Sequence, residues 1–199
     1  MLAGLRKSNM KPDFRRPIMK CILHQLINSL DLLHLSGYNR IMIKAMFLLA
    51  FHAFLRVGEI TCNGNSKNIL QMSNLQFFRR GMKYPSRLKI SFHTFKGHYN
   101  KAPITLVLNS QLSENLCPVV TLFQYIKERG PAPGSIFRFP GGITISYRYF
   151  CSTRSHSFRI GAASTAAEQG VSKTDIQAMG RWHSNAFKSY IRIPSFEVR

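Results

Sequence analysis

Two short stretches of the chain place an arginine beside a group that could share its work on an anion. In AFLRVGEI, Arg56 ends an apolar run, where a guanidinium needs a compensating negative charge, and Glu59 stands three residues on. The spacing allows a plain helix-end ion pair; it equally allows Arg56 to face a phosphate with Glu59 bracing it from behind. In HSFRIGA, His156 and Arg159 are three residues apart, so they project from one side of a helix start, where the macrodipole also favours an anion. That is a phosphate-binding arrangement with a titratable group beside it, or else ordinary first-turn solvation. Lys96 falls in a basic loop, where solvation is the common fate of a lysine. Trp182, the only tryptophan, sits in GRWH, and Tyr190 follows it in YIR. Packing explains both aromatics by default, with the indole N–H in need of a partner.

The rest of the composition narrows the chemistry. With 28 Lys+Arg against 8 Asp+Glu in 199 residues, the formal charge is +20, which calls for an anionic partner such as nucleic acid phosphates or an anionic membrane face. The acids are scattered along the chain, so a carboxylate cage for two-metal nuclease or transposase chemistry is not expected. Cys21, Cys62, Cys117 and Cys151 are too far apart for a zinc knuckle or a dense disulfide framework, and they read as reduced, mostly buried thiols. The N-terminus turns basic at once and lacks a signal-peptide core, so secretion is not supported. Ile41 to Leu55 is the most apolar stretch; it is shorter than the roughly 18 to 20 residues of a span and reads as a buried helix.

Elements that would position these groups follow from periodicity. Apolar residues recur at three- and four-residue steps from Pro17 to about Leu33, with Pro17 suited to the first helical position. A second helix, about Tyr38 to Phe54, is apolar on most faces and belongs at the centre of the core. Leu88 to Phe92 and Ile104 to Leu108 alternate like half-buried strands, joined by a long basic loop that carries Lys96, His98 and Lys101. A helix from about Pro118 to Arg129 ends at Gly130-Pro131. Ser155 can cap a helix from His156 to Gln169 that Gly170 ends, Ser172 with Asp175 opens a short helix to Met179, and Ser184 or Asn185 can cap a last helix bearing Phe187, Tyr190 and Ile191. The fold class is α+β, mainly α-helical with a small antiparallel sheet.

In this order, A-F-L-R-x-G-E, a hairpin lysine, H-S-F-R-I-G-A, G-R-W and a tyrosine eight residues beyond the tryptophan resemble the tyrosine recombinase (phage-integrase-like) catalytic domain. The string from Ser155 to Arg192 looks especially like recombinases of eukaryotic mobile elements, such as DIRS-like retrotransposons and Cryptons. The resemblance implies that Tyr190 attacks a DNA phosphodiester to give a 3′-phosphotyrosyl link, with neither metal nor other cofactor. Arg56 and Arg159 would hold the non-bridging oxygens, Lys96 would protonate the leaving 5′-oxygen, and His156 would assist as general base. Trp182 would supply the last phosphate donor, with His183 as runner-up, and Glu59 would support the site. Double-stranded DNA is the implied partner, bound as a dimer or tetramer, without a membrane or a small-molecule substrate, and in the nucleus if the host is eukaryotic.

Residues 1–16 read as a basic linker or arm and 17–199 as the catalytic domain, without the N-terminal core-binding domain of such recombinases. The chain is also short between Gly142 and His156, and only nine residues follow Tyr190. The alternative is a DNA-binding remnant of a mobile-element recombinase whose strand cleavage has decayed. An RNA-binding reading would need an aromatic RNP1-type strand, which the sequence lacks.

Overall fold

In the computed structural model, which describes residues 16–62, 68–79, 81, 83–94, 102–150 and 156–192, everything is arranged around one central helix. This is α2 (Gly37–His52), whose Met42, Ala45, Met46, Leu48, Leu49, Ala50 and Phe51 are all buried. Its run of apolar residues on every side demands neighbours all round, and it finds them in α1 (Lys20–Ser29), α4 (Pro118–Arg129) and α6 (Ser157–Glu168). The Ser36 hydroxyl caps α2 by accepting from the Asn39 N–H at 3.2 Å. The short helices α3 (Val57–Ile60), α5 (Tyr147–Phe150) and α7 (Lys173–Met179) complete the helical part. No described helix is long and apolar enough to cross a membrane.

A three-stranded antiparallel sheet flanks the helices in the order β1 (Leu75–Phe78), β2 (Arg87–Phe92), β3 (Ile104–Asn109). Its register sets Leu88 opposite Leu108 and Phe77, and Ile90 opposite Leu106 and Leu75, so one face carries the apolar side chains. The strand alternation read from the sequence therefore holds for β2 and β3. β1 was not anticipated; its four residues, LQFF, are too few to show a period.

Three other expectations change. Pro17 is not the first residue of α1, which begins at Lys20 after Met19. Instead, the adjacent Ile18 N–H donates to the Ser157 carbonyl at 3.0 Å, binding this segment to the first turn of α6. Gly161 permits that approach, because a Cβ there would lie 1.8 Å from the Ile18 carbonyl oxygen. The last helical segment, Asn185–Tyr190, is a 3₁₀-helix, opened by the Ser184 hydroxyl on the Ala186 N–H. Of the three described thiols only Cys117 is buried; Cys62 is half-buried and Cys21 exposed. The expected cap Ser155 lies outside the described residues.

Candidate active site

Helix ends build the site. α2, α6 and α7 each finish in the same hydrogen-bonded turn, in which the third residue beyond the helix donates back five residues. The donors are Leu55 to Ala50, Val171 to Ala166 and Trp182 to Gln177. The turn needs one residue in the left-handed region. After α6 this is Gly170 (φ 77°), but after α2 and α7 it is Phe54 (φ 51°) and Arg181 (φ 54°). Each non-glycine residue there costs about 1 kcal/mol. Both strained turns lead directly into candidate residues: Phe54 into Arg56, and Arg181 into Trp182.

The two turns are tied together by Glu59, which is 2% exposed. Its Oε2 accepts the Arg56 backbone N–H at 2.9 Å and its Oε1 accepts Arg56 Nη1 at 3.1 Å. The same Oε2 accepts Arg181 Nη2 at 2.8 Å. Arg181 also donates to the Ala53 carbonyl at 3.1 Å and the Phe54 carbonyl at 3.4 Å, and its guanidinium lies 3.9 Å from the ring centre of Phe92, at the end of β2. Burial pushes its pKa below the ordinary arginine range, and Glu59 opposes that shift.

Arg159 is the second focus. It sits in the first turn of α6, is only 1% exposed, and donates Nη2 to the Gly180 carbonyl. Its Nε and Nη1 are buried and have no hydrogen-bond partner among the described residues. Aromatic rings cover it, Trp182 at 4.3 Å and Tyr190 at 5.6 Å from the guanidinium carbon. Desolvation, reinforced by the positive charge of Arg56, lowers its pKa to about 9 despite Glu59. A buried arginine with two unpartnered nitrogens is a costly arrangement unless an anion completes it.

Tyr190 ends the last 3₁₀-helix, half-buried, with its ring centre 5.1 Å from that of Trp182 and 5.9 Å from that of His156. The segment is held to α6 by Ser164, whose hydroxyl donates to the Tyr190 carbonyl at 3.3 Å and accepts the Arg192 N–H at 2.8 Å. Buried Phe187 and Ile191 fix its underside. Trp182 can fold back over α7 because Gly180 has no side chain; a Cβ there would lie 1.6 Å from the indole.

The structure thus gathers His156, Arg159, Trp182 and Tyr190 into one cluster and joins Arg56 to Glu59 beside it. His183 is exposed, and Trp182 is the residue lying on Arg159. Lys96 lies outside the described residues; β2 and β3, which flank its loop, are in place. Sequence reasoning gave no role to Arg181 or Ser164. An arginine in a left-handed turn has no sequence signature, and Ser164 looks like one more small residue among alanines. Among the described residues, no three His, Cys, Asp or Glu side chains converge to hold a metal ion.

No family model matches the chain, and no curated protein is similar to it in sequence. Among solved structures it is similar to the XerH site-specific recombinase. The similarity to XerH bound to palindromic difH substrate in a post-cleavage complex has a TM-score of 0.58 at 15% identity, over 89% of this chain and 50% of that one. For the pre-cleavage complex with difH substrate the TM-score is 0.57 at 15% identity, over 92% and 52%. The chain therefore spans about half the length of these recombinases, and it shares their fold: mainly helical with a small antiparallel sheet, as in a tyrosine recombinase catalytic domain.

Proposed function

We propose that this chain breaks and rejoins double-stranded DNA through a 3′-phosphotyrosyl intermediate. One observation carries the reading: Arg159 is buried beside Tyr190 with two nitrogens, Nε and Nη1, that find no acceptor among the described residues. A phosphate oxygen has the charge and acceptor capacity to satisfy them. In this scheme the phosphodiester enters against Arg159 and Arg56 as Trp182 gives up its place on the guanidinium. Tyr190 Oη attacks phosphorus, and His156, whose ring is next to that of Tyr190, takes the phenolic proton. The bond to the 5′-oxygen breaks, and Lys96 protonates that oxygen. The arginines bear the charge that grows on the non-bridging oxygens, and the Trp182 N–H donates to one of them. Attack by a 5′-hydroxyl on the phosphotyrosine reverses the chemistry, so the energy of the broken bond is kept.

The similarity to XerH complexes and the +20 charge support DNA as the partner. Descent from a mobile-element recombinase, assembly into an oligomer on DNA and a nuclear setting rest on the resemblance of the Ser155 to Arg192 string. The direct test is a duplex nicked next to the scissile position, so that the short 5′-hydroxyl strand diffuses away and traps the adduct. Parent protein should become covalently linked to labelled DNA and Tyr190→Phe should not. Equal DNA binding by both proteins with no adduct from either would identify a DNA-binding remnant instead.

A further inference from the structure

Resting on that reading, we infer that Arg181 is a positioning residue that sets the geometry and charge of Arg56 through Glu59. Arg181 is 4% exposed and held in a left-handed backbone conformation, so both its burial and its backbone are costly. A buried ion pair is seldom kept for stability alone. Its fork performs a task that no simpler side chain does here. It satisfies the Ala53 and Phe54 carbonyls, fixing the direction in which the chain leaves α2 three residues before Arg56, and at the same time it holds Oε2 of Glu59. A lysine is a single point charge and cannot span all three acceptors.

The charge count explains why two arginines share one carboxylate. A Glu59–Arg56 pair alone would be neutral and offer little to a phosphate. With Arg181 on the same carboxylate, the trio Arg56, Arg181 and Glu59 keeps a net charge of +1, while Glu59 still orients the Arg56 N–H and Nη1. Arg56 stays 26% exposed, the one member of the trio with access to solvent. Arg181 also carries Trp182 as its chain neighbour, so it couples the α2 end to the turn that covers Arg159.

The test is a double-mutant cycle on the full chain, reading duplex affinity and the rate of adduct formation on the nicked substrate. Arg181→Lys keeps a charge and guards against misfolding, and Arg181→Met removes it. In the parent background each should slow adduct formation by about tenfold or more, whereas in an Arg56→Ala background the further loss should stay within about twofold. Equal losses in both backgrounds, or parent rates from Arg181→Lys, would overturn the assignment. If the parent forms no adduct, the proposed chemistry fails, and side-chain ¹H–¹⁵N spectra decide this inference separately. The Arg56 guanidinium signals, assigned by their loss in Arg56→Ala, should shift or collapse in Arg181→Lys; unchanged signals sink it.

Discussion

Replacing Arg159 by methionine should make the folded protein slightly more stable while removing the proposed strand cleavage. At about 1.4 kcal/mol per pH unit, the fall of the Arg159 pKa from the ordinary arginine range to about 9 corresponds to a net cost, burial first and repulsion from Arg56 and Arg181 after it, of order 5 kcal/mol. Contact with the Trp182 and Tyr190 rings returns about 2 kcal/mol, and the charged bond to the Gly180 carbonyl about 2 more. The balance, about 1 kcal/mol in favour of methionine, raises the melting temperature by about 2 to 4 °C in a chain of this size. Adduct formation should meanwhile fall by at least about 100-fold, since a donor to the charged transition state is gone. The sign can be checked with pH. A base whose pKa is lower folded than unfolded handicaps the fold fully below the folded value, and the handicap fades as pH rises beyond it. The advantage of Arg159→Met, measured by circular dichroism, should therefore be constant up to about pH 8 and shrink above about pH 9. A variant that melts about 5 °C or more below the parent would show that Arg159 is an internal stabiliser and refute its role as a waiting phosphate ligand.

Two more outcomes follow from close contacts elsewhere. His52, at the end of α2, is half-buried near Lys20 and His24, and burial before all else lowers its pKa to about 4. Protons then bind the unfolded chain more tightly, so the melting temperature should fall as pH drops from about 6.5 to about 4, and His52→Gln should flatten that fall; a variant tracking the parent would exclude His52 as the cause. Gly180→Ala would put its Cβ on the indole of Trp182, so the ring must leave Arg159; the emission of this single tryptophan should shift and adduct formation should drop, and parent emission with parent rates would contradict the contact.

Much of the scaffold could be read from local chemistry. Ser172 accepts the Asp175 N–H at 3.1 Å, Gly170 supplies the left-handed turn after α6, and Gly130 follows Arg129 as the end of α4. These signals are short-range and act through one or two residues. What stayed hidden depends on partners far along the chain. β1 exists because Leu75 and Phe77 meet Ile90 and Leu88 across the sheet, not through any period of its own. The Arg56–Glu59 bond was visible as a three-residue spacing, but the choice between ion pair and phosphate site was not. That choice turns on Arg181, which reaches Glu59 across 122 positions of sequence. Likewise, Arg159 and Tyr190 were individually weak candidates, and only folding shows them packed around one indole.

The scarcity of acids takes on a structural meaning at this site. Glu59 is the only buried acid among the described residues, and three arginines lie within its electrostatic reach: Arg56, Arg159 and Arg181. One carboxylate among three guanidiniums orients Arg56 and Arg181 without neutralising the group. A second acid would close Arg159 into an internal pair and remove the open donors that a phosphate requires. Solvent and salt screen the exposed lysines and arginines, so their fields act on duplex DNA mainly at long range and weaken as salt rises. The buried arginines are screened far less, and their attraction for one phosphodiester should persist at ionic strengths that weaken the rest of the +20 surface.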